Sequence, residues 1–225
     1  PRRAVVVEAP SLPGFSHAEW RPGARPEAQW EKMGMTRLAD YADRYRNLKF
    51  DRDAHGVLVV TLHSDGGPLL WSAGAKNTIH ADLPDAFLDI ARDPDNRVVV
   101  LTGAGDAFCA ARDPRGYGTP TLAGYEDVYL EGRDILMNLM AIPVPVIAAV
   151  NGPVTIHPEM PALADIVLAA DHAVFADSHI QAGLVPGDGC HVVWPMLLGP
   201  NRGRAFLLSG DAITAQEARA LGVVH

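Results

Sequence analysis

Four short apolar runs divide the chain, and valine, isoleucine, leucine and alanine make up nearly all of each. They cover residues 57–62, 98–102, 146–150 and 166–170. Continuous runs of this kind, with little polar alternation, are typical of strands that are buried on both faces of a parallel sheet covered by helices. The pattern therefore predicts at least four buried strands.

Hydrophobic positions recur at helical spacing between these runs. One such stretch lies near residues 83–91, and a longer one lies near residues 125–140. A third pattern, roughly helical, runs from Trp30 to about Leu48. The alternation of strands and helices predicts an α/β fold. The spacing of the strands leaves both a doubly wound sheet and a β-superhelix open.

Residues 1–28 show neither pattern. Prolines interrupt them at positions 10, 13, 22 and 26, and their apolar stretches are too short for a secretory signal. We expect an N-terminal arm that, together with the leading helix, covers residues 1–45. A core domain is expected to cover residues 46–225.

The amino-acid composition excludes several classes of binding partner. The 225 residues carry a net charge of −8 without a stripe of Lys and Arg, which argues against nucleic acid and against an anionic membrane surface. No apolar run approaches the roughly 18 residues of a membrane helix. The two cysteines, Cys109 and Cys190, form no CxxC pair, so neither a zinc site nor a disulfide framework is expected. These features favour a cytoplasmic enzyme or binding protein that acts on a small molecule.

Four segments, in order and at matching spacing, resemble the crotonase (enoyl-CoA hydratase/isomerase) superfamily. They are residues 99–113, residues 143–152, residues 164–170, and residues 175–177 followed by 183–189. The resemblance covers residues 46–225 and implies a crotonase-type ββα superhelix with parallel sheets and covering helices. It also implies a homotrimer or a dimer of trimers. Crotonases normally continue with C-terminal helices that build the trimer, and we expect that region to be absent from this chain.

The resemblance further implies an oxyanion hole made of two backbone N–H groups. One donor comes from Ala111 and Arg112, and the other comes from a helix start just after Asn151-Gly152, where unpaired N–H groups and the helix dipole favour an anion. His157 lies at or beside this second donor and could add an imidazole N–H; the alternative is a surface histidine at a helix start. Glu159 either replaces the first glutamate of the hydratases or is a first-turn acid favoured by the dipole.

At the place of the second hydratase glutamate stands His179, nine residues before Asp188. A carboxylate that bonds one imidazole nitrogen fixes the tautomer and leaves the other nitrogen free to take a proton from water. We therefore predict that His179 is the general base and that Asp188 is its partner. The alternative is that Asp188 merely caps a helix that begins near His191.

Trp71 occupies the stretch where CoA-using crotonases carry an Asn-Ala pair. Its indole either donates to a substrate carbonyl or packs in the core. Together with His157, His179 and Asp188 it resembles the active site of β-diketone hydrolases of the 6-oxocamphor hydrolase type. The resemblance implies that Trp71 and His157 hold a substrate carbonyl. A further active-site histidine of those enzymes falls on Lys76, which is therefore a candidate for substrate binding.

The sequence therefore predicts a hydrolase that cleaves a 1,3-diketone by a retro-Claisen reaction, with neither a metal nor an organic cofactor. Two alternatives stay open. One is an enoyl-CoA hydratase or isomerase, for which only Glu159 could supply one of the paired glutamates. The other is a crotonase-fold scaffold without catalysis.

Overall fold

The computed structural model describes residues 34–117 and 121–225. The predicted N-terminal arm and the first residues of the predicted leading helix lie outside these ranges. In chain order the elements are α1 (Leu38–Tyr41), β1 (Leu48–Arg52), β2 (Val57–Leu62), β3 (Leu70–Ala73), α2 (Ile79–Arg92), β4 (Val98–Gly103), β5 (Ala111–Tyr117), α3 (Leu122–Met140), β6 (Val146–Val150), α4 (Glu159–Ala162), β7 (Ile166–Ala169), β8 (Val174–Phe175), a 3-10 turn (Ile180–Ala182), α5 (Cys190–Leu198), α6 (Pro200–Ser209), β9 (Ile213–Thr214) and α7 (Ala215–Ala220).

The chain advances by repeats of a long strand, a short strand and a helix. The first two repeats are β2–β3–α2 and β4–β5–α3, and in the third a single bridge residue, Val154, replaces the short strand between β6 and α4. The long strands form a sheet in the order β1-β2-β4-β6-β7, parallel except for the β1–β2 pair. The short strands β3 and β5 pair in parallel as a second layer. The predicted ββα superhelix is thereby confirmed.

All four predicted strands form, but they are not buried on both faces. Along β2 the residues Leu58, Val60 and Leu62 are buried, whereas the residues between them are only half-buried. In β7 the outward residues Ile166 and Leu168 are exposed. The reason is that one face of the long sheet packs into the core. The other face is only partly covered by the described residues.

The helix predicted from Trp30 to about Leu48 is wrong in its length. Within the described residues it is reduced to the four residues of α1, and by Leu48 the chain is a strand. The tyrosines that suggested a helical period are held by side-chain contacts instead. The hydroxyl of Tyr41 donates to Asp93 at 2.9 Å and that of Tyr45 donates to Asp89 at 2.6 Å. Among the described helices, none has the length and apolarity to cross a bilayer.

Candidate active site

A cavity of about 90 Å³ lies where the end of β3, the first turn of α2 and the connections after β6 and β8 meet. Its polar groups are three imidazoles, one carboxylate, one guanidinium, one hydroxyl and one indole N–H. The lining residues are Trp71, Ala73, His80, Arg112, Val128, Ile156, His157, Ser178, His179, Leu184 and Asp188. The structure therefore brings Trp71, His157, His179 and Asp188 together, although they span more than a hundred positions of the sequence.

The Asn151-Gly152 turn joins the two loops that the resemblance assigned to the oxyanion hole. The Asn151 side chain accepts a hydrogen bond from the backbone of Gly103 at 3.1 Å and donates to the carbonyl of Gly105 at 2.9 Å. A Cβ at Gly152 would collide with the carbonyl oxygen of Asp106, so only glycine allows this close approach. The turn thus sets the position of the segment that leads to His157.

His157 lies at the end of that segment with a positive φ of 48°, a conformation that costs a non-glycine residue on the order of 1–2 kcal/mol. The cost is offset locally because the carbonyl of Cys109 accepts from Thr155 and Ile156, and Met160 donates to the His157 carbonyl. The imidazole is buried and stacks on Trp71 with ring centroids 4.5 Å apart. This burial excludes the interpretation as a surface histidine.

Glu159 does not line the cavity. It is fully buried in the first turn of α4, and its Oε1 lies 2.7 Å from Nδ1 of His157. Its other oxygen has no hydrogen-bond partner among the described residues. The glutamate is thus directed at the histidine and not at the place that a substrate would occupy.

His80 is a cavity residue that the sequence did not predict. It is 1% exposed and lies edge-on to Trp71 at 5.8 Å and 5.4 Å from the ring of His157. Its Nδ1 lies 2.7 Å from Glu131 on α3, whereas its Nε2 is buried with no partner among the described residues. Burial lowers the pKa of His80, and the bond to Glu131 offsets only part of this effect. The ring is therefore neutral near pH 7.

Lys76, to which the resemblance assigned the further active-site histidine, is exposed and does not line this cavity. It lies in the loop before α2, whereas His80 lies in the first turn of that helix and faces inward. The available signal was a histidine among the mostly apolar residues that α2 buries, just after the N-cap Thr78.

His179 lies between two carboxylates. Its Nδ1 is 3.0 Å from the fully buried Asp177, and its Nε2 is 3.5 Å from Asp188. The prediction that Asp188 leaves the other ring nitrogen free is therefore wrong, because Asp177 holds that nitrogen. The hydrogen bond to Asp177 and then that to Asp188 raise the pKa of His179 to about 10, against the opposing effect of burial. At neutral pH the ring is an imidazolium.

Asp188 is the only carboxylate among the lining residues. Burial alone would raise its pKa, but the hydrogen bond from His179 and the nearby rings of His157 and His80 lower it below its ordinary value. It makes no side-chain cap for α5, which begins at Cys190, so the capping interpretation is wrong. Its φ is 50°, and a Cβ at Gly132 of α3 would strike its carboxylate. Gly132 thus permits Asp188 to lie close against this helix.

Ala111 and Arg112 start β5 and pair with Leu70 and Trp71 of β3. Consecutive N–H groups of a strand point to opposite sides, and β5 pairs with β3 alone among the described strands, so one of these two groups faces away from the ladder. The guanidinium of Arg112 donates to the Ser178 hydroxyl at 3.0 Å. The backbone N–H of His157 has no acceptor among residues 34–117 and 121–225. These groups remain the predicted oxyanion donors.

Comparison with known proteins agrees with this architecture. Residues 55–225 match the family described as Enoyl-CoA hydratase/isomerase. A 1,2-epoxyphenylacetyl-CoA isomerase of Escherichia coli is 32% identical over 157 residues, which are 66% of this chain and 59% of that protein. A probable enoyl-CoA hydratase of Rhodobacter capsulatus is 34% identical over 80% of this chain and 68% of that protein. The chain thus spans about three fifths to two thirds of the length of these relatives.

Two solved structures give the structural comparison. A β-diketone hydrolase from the cyanobacterium Anabaena, bound to (S)-3-oxocyclohexyl acetic acid, is 47% identical with a TM-score of 0.78, over 83% of this chain and 74% of that one. An enoyl-CoA hydratase/isomerase from Mycobacterium paratuberculosis is 30% identical with a TM-score of 0.70, over 81% of this chain and 72% of that one.

Proposed function

This chain belongs to the enoyl-CoA hydratase/isomerase family, and we propose that within the family it is a hydrolase that cleaves the carbon–carbon bond of a 1,3-diketone. One observation carries the proposal: the cavity presents three imidazoles and a single carboxylate, Asp188. Hydratases of this superfamily are built around two glutamates. Here Glu131 and Glu159 each bond the Nδ1 atom of a histidine and do not line the cavity. The 47% identity to a β-diketone hydrolase supports the same assignment.

The proposed reaction begins with the attack of water on one carbonyl carbon. The tetrahedral intermediate then collapses, the bond between that carbon and the central carbon breaks, and its electron pair forms an enolate with the second carbonyl. The central carbon finally takes up a proton. The sum is one water consumed, one carboxylic acid formed and one ketone formed, without an oxidant or a reductant.

Asp188 is the group that the geometry favours as the acceptor of the water proton. Its lowered pKa keeps it ionised, and it reaches the cavity directly. His179 cannot begin as the base, since both of its nitrogens face carboxylates and the ring is already protonated. Instead the imidazolium holds Asp188 in place and can donate to oxygen charge as that charge develops. The two residues thus act as one unit that shares protons.

The remaining groups would hold the substrate oxygens. His157 stacks on Trp71, and the carboxylate of Glu159 holds its Nδ1, so that Nε2 is the ring atom that can contact a substrate oxygen. The backbone N–H groups of His157 and of Ala111 or Arg112 add the donors that the family resemblance implies. Since the cavity measures about 90 Å³, well below the roughly 300 Å³ of a usual ligand cleft, it would enclose the reacting end of the substrate.

The direct test compares two substrate classes. The protein is incubated with a cyclic 1,3-diketone that is dimethylated between its carbonyls, and separately with crotonyl-CoA. We expect ring opening of the diketone to a keto acid, seen by mass spectrometry, and no loss of the enoyl absorbance. Asp188→Asn, which tolerates the positive φ as aspartate does, is the matched inactive control. Hydration of crotonyl-CoA without any ring opening would contradict the proposal.

Enoyl-CoA chemistry is the second candidate, because CoA-thioester enzymes predominate among the named relatives. It predicts CoA binding, whereas the diketone hydrolase should be independent of CoA, as the replacement of the Asn-Ala stretch by Trp71 indicates. Calorimetry decides between them: micromolar binding of CoA or acetyl-CoA would favour the second candidate.

Assembly as a homotrimer or a dimer of trimers belongs to the same proposal. The segment 199–204 and helix α6 are expected near a subunit contact. Light scattering of the full-length protein tests this, and a monomer would contradict it.

A further inference from the structure

Two cavity histidines are each held by a carboxylate at the ring nitrogen remote from the cavity centre. Nδ1 of His80 lies 2.7 Å from Glu131, and Nδ1 of His157 lies 2.7 Å from Glu159. Histidines that bind metal ions almost always carry such a partner, because it fixes the tautomer and aims the Nε2 lone pair at the ion. His80 and Glu131 come from different helices, α2 and α3, whereas His157 and Glu159 lie two residues apart, so the two pairs arise in different ways.

A third donor completes a cluster. One ligand atom from each of His80, His157 and Asp188 lies within 4.8 Å of the other two. The Nε2 atom of His80 is the free nitrogen of a ring that is only 1% exposed, and it has no partner among the described residues. An unpaired nitrogen at this depth needs a partner to offset its loss of hydration.

The charge around the cluster also favours a cation. Four carboxylates contact the imidazole rings of this cavity, those of Glu131, Glu159, Asp177 and Asp188. Such a group of carboxylates around two imidazoles favours a divalent cation.

We propose that His80, His157 and Asp188 form a binding site for a divalent transition-metal ion, with Zn²⁺ as the best match to two imidazole nitrogens and one carboxylate oxygen. Three protein ligands with an open fourth position, which water can fill from the cavity, are typical of zinc sites that are not purely structural. The ion displaces any proton on the Nε2 atoms. Binding of the ion does not depend on the diketone hydrolase assignment.

The consequence for the proposed reaction is inhibition. The ion takes the ligand atoms of Asp188 and His157, which the hydrolase needs for water and for the carbonyl oxygen. Zn²⁺ should therefore compete with the diketone, and a chelator should restore turnover.

A second set of potential ligands, Asp177, His179 and Cys190, lies nearby. It is a poorer site because both nitrogens of His179 face carboxylates, and the Cys190 thiol donates to the carbonyl of Gly187 at 2.7 Å. An ion there would have to displace these contacts. The two sets share no residue, so substitutions separate them cleanly.

The experiment titrates metal-free protein with Co²⁺, a spectroscopic substitute for Zn²⁺, and then displaces it with Zn²⁺, in the absence of any substrate. We expect one ion per chain and the visible absorption of a low-symmetry cobalt site. His80→Ala should weaken binding by more than about 100-fold, and Glu131→Gln, which removes only the outer partner, by about 10- to 100-fold. His172→Ala, at an exposed histidine outside the cluster, is the matched control and should bind as wild type does.

Circular dichroism of each variant verifies the fold before titration, and Glu131→Gln keeps the test decisive if His80→Ala fails to fold. Absence of stoichiometric binding by the wild type would overturn the proposal. So would equal binding by wild type and Glu131→Gln, or binding that is lost in Cys190→Ala and kept in His80→Ala. A protein that binds the ion but opens no diketone would leave the metal site standing and refute the proposed function alone.

Discussion

Nδ1 of His179 lies 3.0 Å from the buried carboxylate of Asp177, and this contact reverses the charge expected for the ring. With Asp188 on the other nitrogen, the imidazole gains two acceptors and is protonated at neutral pH. From the sequence alone, His179 is predicted to be a neutral base that Asp188 activates. The structure supports the opposite assignment, in which His179 is the cation and Asp188 accepts the proton of the attacking water.

The pH dependence of turnover should reflect these charge states of Asp188 and His179. The pKa of Asp188 is lowered and that of His179 is raised to about 10. We therefore expect kcat for the dimethylated cyclic diketone, which has no acidic hydrogen between its carbonyls, to be flat from about pH 6 to pH 9. It should fall as the pH passes about 10 and the imidazolium is lost. A rate that rises through the ordinary histidine pKa near 6.5 would instead identify His179 as a neutral base.

Stability should change over the same range. Because the folded pKa of His179 lies above its ordinary value, its ion pairs contribute fully below about pH 6.5 and lose that contribution as the pH rises through about 10. Urea unfolding at several pH values measures this. The free energy of unfolding of the wild type should decline toward high pH relative to His179→Gln. Parallel curves for the two proteins would show that the ring is not held as a cation.

The strands and most of the site could be predicted because they depend on local pattern or on motif spacing. The apolar runs became β2, β4, β6 and β7, and α2 and α3 lie where the helical spacing indicated. The short length of helix α1 near Tyr41 and Tyr45 could not be predicted, because aspartates distant in sequence bind both tyrosine hydroxyls.

Within the site the errors have the same origin. His80 depends on Glu131, which lies 51 positions away in the sequence. Asp177 lies only two residues before His179, but a strand-end aspartate does not reveal which nitrogen it will face. Charge state is set by such three-dimensional partners, and for that reason the residue types were easier to predict than their roles.

His80 and Lys76 offer a direct test of which residue belongs to the site. His80→Ala removes a buried ring that contacts Trp71 and His157, and it should lower kcat/KM by roughly 10- to 1000-fold, within the usual range for acid–base or orienting groups. Lys76→Ala, at an exposed position four residues earlier, should be nearly unchanged. The reverse pattern in steady-state kinetics would restore the assignment of Lys76 to substrate binding.

His179 and Asp188 should behave as one unit. His179→Ala and Asp188→Asn should each lower kcat by on the order of 10² to 10⁴-fold, with little change in KM. The kcat of the double variant should be scarcely lower than that of the less active single variant, since each change removes the same function. Additive losses would mean that the two residues act separately. Near-normal turnover by His179→Ala, with none by Glu159→Gln, would return the chain to glutamate-dependent chemistry.

The central claim is that water enters a carbon–carbon bond, and the most direct measurement follows its oxygen. The protein converts the dimethylated cyclic 1,3-diketone in ¹⁸O-labelled water, and mass spectrometry locates the label in the product. We predict a ring-opened keto acid that carries one labelled oxygen in its new carboxylate, formed by the wild type and lost in Asp188→Asn. An intact diketone after prolonged incubation, together with labelled hydroxyacyl-CoA from crotonyl-CoA in a parallel reaction, would contradict the proposed hydrolase.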